Sequence, residues 1–301
     1  MHRNITRLVR RGGTLAIAVL VGESGLLQRD RRRVRIGLIA SCFALTFLGL
    51  STSSSASLVA YYPFNGNAND ESGNGNNGTV FGATLTTDRF GNPDSAYSFN
   101  GLDNFIRASG AGLPTTDRTV ILWFDATTVA TRPVLLGYGG GACGTSFFMG
   151  LNSGTQPNTY YVTSHCEVNN LVSPYPADPS GDWHNFAITT DSSGTKIYID
   201  GVLTASNTNF ISNTTVAGTD LAIGVDVSPG GLAPYTDRNV GYFAGKIDSV
   251  CIYNTSLTLG EIAASPCGIA TAISEPASLA LLGAGLTGLW VALRRRNRLS
   301  T

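Results

Sequence analysis

Residues 184–201 read HNFAITTDSSGTKIYIDG. Phe186, Ile188, Ile197 and Ile199 fall at alternate positions on either side of Ser192-Ser193-Gly194. Apolar residues at every second position put one side of an extended chain into a core, and the small turn residues let the chain fold back on itself. The stretch therefore predicts a β-hairpin with one buried face. The same short runs recur outward in both directions, among them SLVAYYPF (57–64), GTVFGAT (78–84), AYSFN (96–100), RTVILWFDA (118–126) and FAGKIDSVCIYN (243–254), parted by Gly, Asn, Asp and Pro clusters. No long stretch has helical period. About a dozen strands in roughly 210 residues predict an all-β chain folded as one large antiparallel sandwich. SLTLGEIAAS (256–265) predicts a short helix, with Thr258 as its N-cap and Glu261 at the third helical position.

The two ends of the 301-residue chain differ from this body. Residues 1–56 contain a basic cluster (Arg29, Arg31, Arg32, Arg33, Arg35), an apolar run from Ile36 to Leu50, and the small residues Ser54-Ser55-Ala56. That layout predicts an export signal with a mature start near Ser57. The body spans 57–266, followed by a linker at 267–273 and a tail at 274–301. The whole chain carries 20 basic and 20 acidic residues, but residues 57–273 carry seven and seventeen, a net charge of −10. Such a surface repels phosphate backbones, so nucleic acid is not an expected partner.

Cys143, Cys166 and Cys251 lie in the body, and Cys267 opens the linker. An even number in an exported chain predicts disulfides, with Cys143–Cys166 and Cys251–Cys267 the favoured pairing among three connectivities. Unpaired buried thiols are the alternative. The spacing does not suit zinc.

The stretch LVAYYPFNGNANDESGNGNNGTVFGATLTTDRFGNPDSAYSFNGLDNFI (58–106) resembles the opening of bacterial laminin-G-like domains of the concanavalin A-like superfamily. DWHNFAITTDSSGTKIYIDG resembles that family's Trp-His hairpin, and FAGKIDSVCIYNTSLTLGEI resembles its last core strand and following helix. The resemblance implies a two-sheet jelly roll with a carbohydrate- or protein-binding role. It also implies calcium between the first-strand region and an aspartate of the last strand. The matching positions are Asn65 and Asp248. Turn-forming Asn, Asp and Gly alone would give the same composition there.

The tail has a resemblance of its own. Ser274-Glu275-Pro276, the 17-residue apolar run Ala277 to Leu293, and Arg294, Arg295 and Arg296 resemble a PEP-CTERM sorting signal. The apolar run would form a transmembrane helix at the lower edge of bilayer-spanning length, with the arginines held on the cytoplasmic side. The resemblance implies processing by an exosortase at the inner membrane of a Gram-negative bacterium, then release to the cell surface or exopolysaccharide matrix. A permanent single-span anchor is the alternative.

Catalysis is not expected. Laminarinase-type glycosidases of this superfamily need paired carboxylates, and their Glu-x-Asp-x-x-Glu run is absent here. The body's glutamates, Glu71, Glu167 and Glu261, are scattered. A sugar site needs an aromatic platform with polar neighbours. Tyr138, Tyr161, Asn152, Asp226 and Asp237 are the expected glycan rim, with Tyr160, Tyr175 and Tyr235 as further loop candidates. Trp123, Phe124, Trp183 and Phe186 are expected in the core or packed on a sheet. The expected function is an exported, non-catalytic module that binds extracellular polysaccharide or a surface protein. A structural surface protein without a small ligand, or a divergent glycoside hydrolase, are the alternatives.

Overall fold

The computed structural model describes residues 56–269, apart from 130–131, 141–142, 154–155, 168–169, 176–177 and 236–239. The signal segment, the sorting residues Ser274, Glu275, Pro276, Arg294, Arg295 and Arg296, and the apolar run 277–293 lie outside the described residues. Among the described residues no helix is long and apolar enough to cross a membrane.

Two antiparallel sheets form a sandwich. The first, sheet A, runs in the order β13 (Val202–Asn207), β12 (Gly194–Ile199), β11 (Trp183–Asp191), β6 (Arg118–Ala126), β16 (Ala244–Tyr253), β4 (Ala96–Asn100) and β3 (Thr84–Thr86). Strand β1 (Leu58–Tyr62) pairs with the second half of β16. Sheet B runs β10 (Asn170–Pro174), β9 (Gln156–Thr163), β8 (Ser146–Ser153), β7 (Arg132–Gly139), β14 (Asp220–Ile223), β5 (Phe105–Ser109) and β2 (Thr79–Phe81). The short β15 (Val240–Gly241) lies parallel to β7.

The predicted hairpin is β11–β12. Phe186 faces Ile199 and Ile188 faces Ile197 across it, and all four side chains enter the core between the sheets. Val120, Leu122 and Phe124 of β6 join them from sheet A, against Phe147, Met149 and Leu151 of β8 and Tyr160 and Val162 of β9. Each large apolar side chain buried this way stabilises the fold by roughly 1.5–3 kcal/mol. Helix α1 (Leu259–Ala264) has the expected capping box between Thr258 and Glu261.

GTVFGAT is two strands where one was expected. At Gly82 φ is +70°, and a Cβ there would sit 2.2 Å from the Asn104 amide. The chain turns at this glycine and passes from β2 in sheet B to β3 in sheet A.

Both sheets also carry apolar residues on their outer faces. On sheet A, Ile121, Ala187, Cys251 and Tyr253 are covered by Leu257 and Ile262 of the helical segment. A disulfide between Cys251 and Cys267 ties down that segment, and Cys143 is bonded to Cys166, as the local pairing predicts. Two disulfides mark a protein of an oxidising, extracellular compartment. On sheet B, Phe105, Phe148, Tyr161 and Ala222 are covered by Val225, Val227 and Ala233 from the loop after β14.

A candidate binding groove on the outer face of sheet B

Strand β5 shows how this face is built. Ile106 and Ala108 enter the sandwich core, so the two-residue period of a strand turns Phe105, Arg107 and Ser109 the other way. Thr79 of β2 lies opposite Arg107, and Asp220 of β14 lies opposite Ser109. The loop after β14 then folds back beside them. Ser228 N–H donates to the Leu232 carbonyl (2.8 Å) and Gly231 N–H to the Ser228 carbonyl (2.7 Å). Ala233 N–H donates to Asp220 Oδ2 (2.8 Å), which fastens the loop to the sheet edge.

Between loop and sheet runs an open groove of about 590 Å³, lined by Asn77, Thr79, Arg107, Ser109, Thr219, Asp220 and Leu232. That volume lies within the range of about 300–1,000 Å³ typical of small-ligand sites. Leu232 is 56% exposed at its rim. The Arg107 guanidinium lies 4.9 Å from the centre of the Phe81 ring, and Phe81 is stacked on Phe105 at 4.5 Å. The groove thus offers a cation, hydroxyls, an amide and one apolar lip on a rigid sheet.

Most of the expected rim residues lie elsewhere. Tyr138 is fully buried between the sheets, where its hydroxyl accepts a hydrogen bond from Arg118 Nη1 (2.9 Å). Tyr161 is on the correct face but only 1% exposed, packed beneath the covering loop with Arg132 over its ring at 5.1 Å. Tyr160 and Tyr175 are also buried. The corrections have two causes. Tyr138, Tyr160 and Tyr175 pack in the core between the sheets, whereas Tyr161 is on the outer face and is covered by the loop after β14. Asn152 is half-buried, and its Oδ1 accepts from Asn158 N–H (2.8 Å) and the Tyr175 hydroxyl (2.7 Å). Asp237 lies outside the described residues. Trp123 and Trp183 are half-buried on sheet A, and Trp123 Nε1 donates to the Cys267 carbonyl (2.9 Å). The groove residues Arg107, Thr79 and Ser109 were not foreseen. Their only sequence signal is a polar, period-two face on two short strands.

Asp226 belongs to the same loop and is 5% exposed. Its Oδ1 has no hydrogen-bond partner. Burial pushes its pKa up to about 8, only partly offset by the Val227 N–H and the charge of Arg132. His165 packs on Phe148 (4.7 Å) and Tyr235 (6.1 Å). Burial lowers its pKa, against the raising effect of hydrogen bonding to the backbone at Ser228 and Val227. Both groups lie beneath the loop surface, so neither contributes to an exposed rim.

The residues implied for calcium do not fit it. The Asp248 carboxylate is 3% exposed and forms an ion pair with Arg89. Its other oxygen accepts from Ser249 Oγ (2.8 Å). Arg89 is itself held between the rings of Phe90 (4.3 Å) and Trp123 (4.9 Å). A guanidinium therefore neutralises this carboxylate. Asn65 is exposed, and its carbonyl accepts from Asn67 Nδ2 (3.3 Å). In the same loop Asp70 binds backbone: Oδ1 accepts from Tyr61 and Ser72 N–H (2.9 Å each) and Oδ2 from Asn76 N–H (3.0 Å). Burial raises the Asp70 pKa, but these hydrogen bonds outweigh it and hold the carboxyl below its ordinary value. Among the described residues no three His, Cys, Asp or Glu side chains converge as metal ligands.

A family model described as the concanavalin A-like lectin/glucanases superfamily matches residues 99–263. The chain belongs to this family. Among solved structures, this concanavalin A-like chain is similar to domain 4 of AbnA, a GH43 extracellular arabinanase from Geobacillus stearothermophilus, in complex with arabinotriose. The two are 25% identical with a TM-score of 0.54, over 68% of this chain and 96% of that domain. It is also similar to the botulinum neurotoxin serotype C1 binding domain (14% identity, TM-score 0.46, 69% of this chain and 50% of that one). A Trypanosoma rangeli sialidase is similar at 14% identity and a TM-score of 0.47, over 70% of this chain and 33% of that one. No curated protein matches the chain. The family description spans both lectins and glucanases, so membership alone does not choose between binding and hydrolysis.

Proposed function

We propose that this chain is an exported, non-catalytic carbohydrate-binding module and that its glycan lies in the groove lined by Thr79, Arg107, Ser109 and Asp220. The observation that carries the reading is that groove, open and polar on a fold whose similar domain from the arabinanase is described with arabinotriose bound. Hydroxyl and amide side chains beside a guanidinium suit sugar hydroxyls, which both donate and accept hydrogen bonds. Two of the body's glutamates have other places: Glu261 caps helix α1 and Glu71 is exposed in the loop after β1.

Export and sorting complete the proposal. The signal segment before Ser57 sends the body across the inner membrane. The tail from Ser274 holds it there until an exosortase cuts near Glu275-Pro276 and releases it to the cell surface or matrix. A glycan array on the full chain, purified in mild detergent, tests the reading with calcium and then with chelator. Binding to a defined polysaccharide in both buffers is expected. Absence of binding in both would overturn it.

A further inference from the structure

We propose that the groove is built for an acidic polysaccharide, with Arg107 as the residue that reads a carboxylate on the sugar ring. This rests on the reading of the groove as a glycan site. The argument begins with the cations of a strongly acidic body. Arg89 pairs with Asp248, and Lys246 Nζ pairs with Asp125 at 2.9 Å. Arg118 is fully buried and donates to the carbonyls of Thr115 (2.8 Å) and Ser212 (2.6 Å). Arg132 lies over Tyr161 and has further partners. Lys196 lies near Asp191, outside the groove. Arg107 differs from all of these: it is exposed in the groove, and among the described residues it has no ion pair or hydrogen bond to a carboxylate. The carboxylate across the groove, Asp220, is engaged by the Ala233 N–H.

The guanidinium is also held in place. Phe81 packs against it at 4.9 Å and is itself stacked nearly parallel on Phe105, with 5° between the ring planes. Stacking satisfies the face of a guanidinium and leaves the in-plane N–H groups free for a ligand. A neutral sugar can give those donors only ordinary hydrogen bonds. A carboxylate can accept two in parallel, and such charge-assisted bonds are roughly twice as strong. The body's net negative charge opposes an anionic polymer at long range. That repulsion is largely screened beyond about 8 Å at physiological salt, which leaves the groups lining the groove, with Arg107 its cation and Asp220 beside Ser109, to set the preference.

The test uses the full chain with polygalacturonate and alginate, each against its methyl-esterified form, and with neutral arabinan. The expected result is binding to at least one acidic polymer about tenfold tighter than to its ester. Arg107→Gln removes that preference, Arg107→Lys keeps part of it, and the melting temperature is unchanged in both. Equal affinity for acid and ester, or a preference that survives Arg107→Gln, overturns the inference. Binding to arabinan alone overturns it too but leaves the glycan reading standing. Binding to none of these polymers overturns it as well, and the glycan array then decides whether the glycan reading stands.

Discussion

Arg118 of sheet A donates a 2.9 Å hydrogen bond from Nη1 to the hydroxyl of Tyr138 in sheet B. The same guanidinium serves the carbonyls of Thr115, Thr116 and Ser212 and the Thr214 hydroxyl, with the Phe147 ring 5.3 Å away. It closes one end of the sandwich. Arg118→Leu takes the guanidinium donor from the Thr116 and Ser212 carbonyls, while Thr115 keeps the Thr214 N–H (2.8 Å), and is expected to cost about 3 kcal/mol or more in denaturant unfolding. Tyr138→Phe removes one hydroxyl, which accepts from Arg118 and donates to the Pro114 carbonyl (3.3 Å), and is expected to cost about 1 kcal/mol, with glycan binding unchanged. Loss of binding in Tyr138→Phe without loss of fold would return that ring to the rim.

Asp226 makes stability depend on pH in a definite direction. Its folded pKa is pushed up to about 8 by burial, against about 3.9 for an unfolded aspartate. Between those values the folded chain holds a proton that the unfolded chain has released. Its contribution is therefore full below the unfolded value and is lost as pH rises through the folded one. His165, lowered by burial from 6.5, acts in the opposite sense and only below that pH. His184, raised from 6.5 mainly by its hydrogen bond to Asp200, also titrates above that pH, so it is the comparison with Asp226→Asn that isolates Asp226, with Arg132 as the charge facing it. Melting curves should show wild type losing stability relative to Asp226→Asn as pH rises from about 6.5 to about 8.5. A constant difference across that range would mean that Asp226 is already ionised in the fold.

The ion pair between Arg89 and Asp248 gives a metal-removal prediction. Both side chains are largely buried, 10% and 3% exposed, and breaking a buried pair from one side typically costs about 3–5 kcal/mol. Arg89→Ala should therefore lower the melting temperature strongly. Chelator should leave the wild-type melting temperature where it is in calcium. A drop on adding chelator would show a divalent cation that this geometry does not anticipate.

Local features were legible in the sequence because their causes are local. The 184–201 hairpin, strand 96–100, the Thr258–Glu261 capping box and the two disulfides each follow from neighbouring residues. The groove was not legible. It joins residues 77–79, 107–109, 218–220 and 232–233, which meet only because β2, β5 and β14 pair out of chain order. Tyr138 and Tyr161 were misplaced for the same reason. What covers them comes from Arg118 on the other sheet and from the loop after β14, and neither is visible in the strand that carries the ring.

The most direct measurement is the affinity of the polysaccharide found on the array for wild type and for Ser109→Trp, both as full chains. Ser109 is exposed on the groove floor, so an indole there fills the groove without disturbing the core. The account predicts at least about a tenfold loss of affinity with an unchanged melting temperature. Undiminished affinity in the filled variant would place the glycan elsewhere and contradict the assignment of this groove.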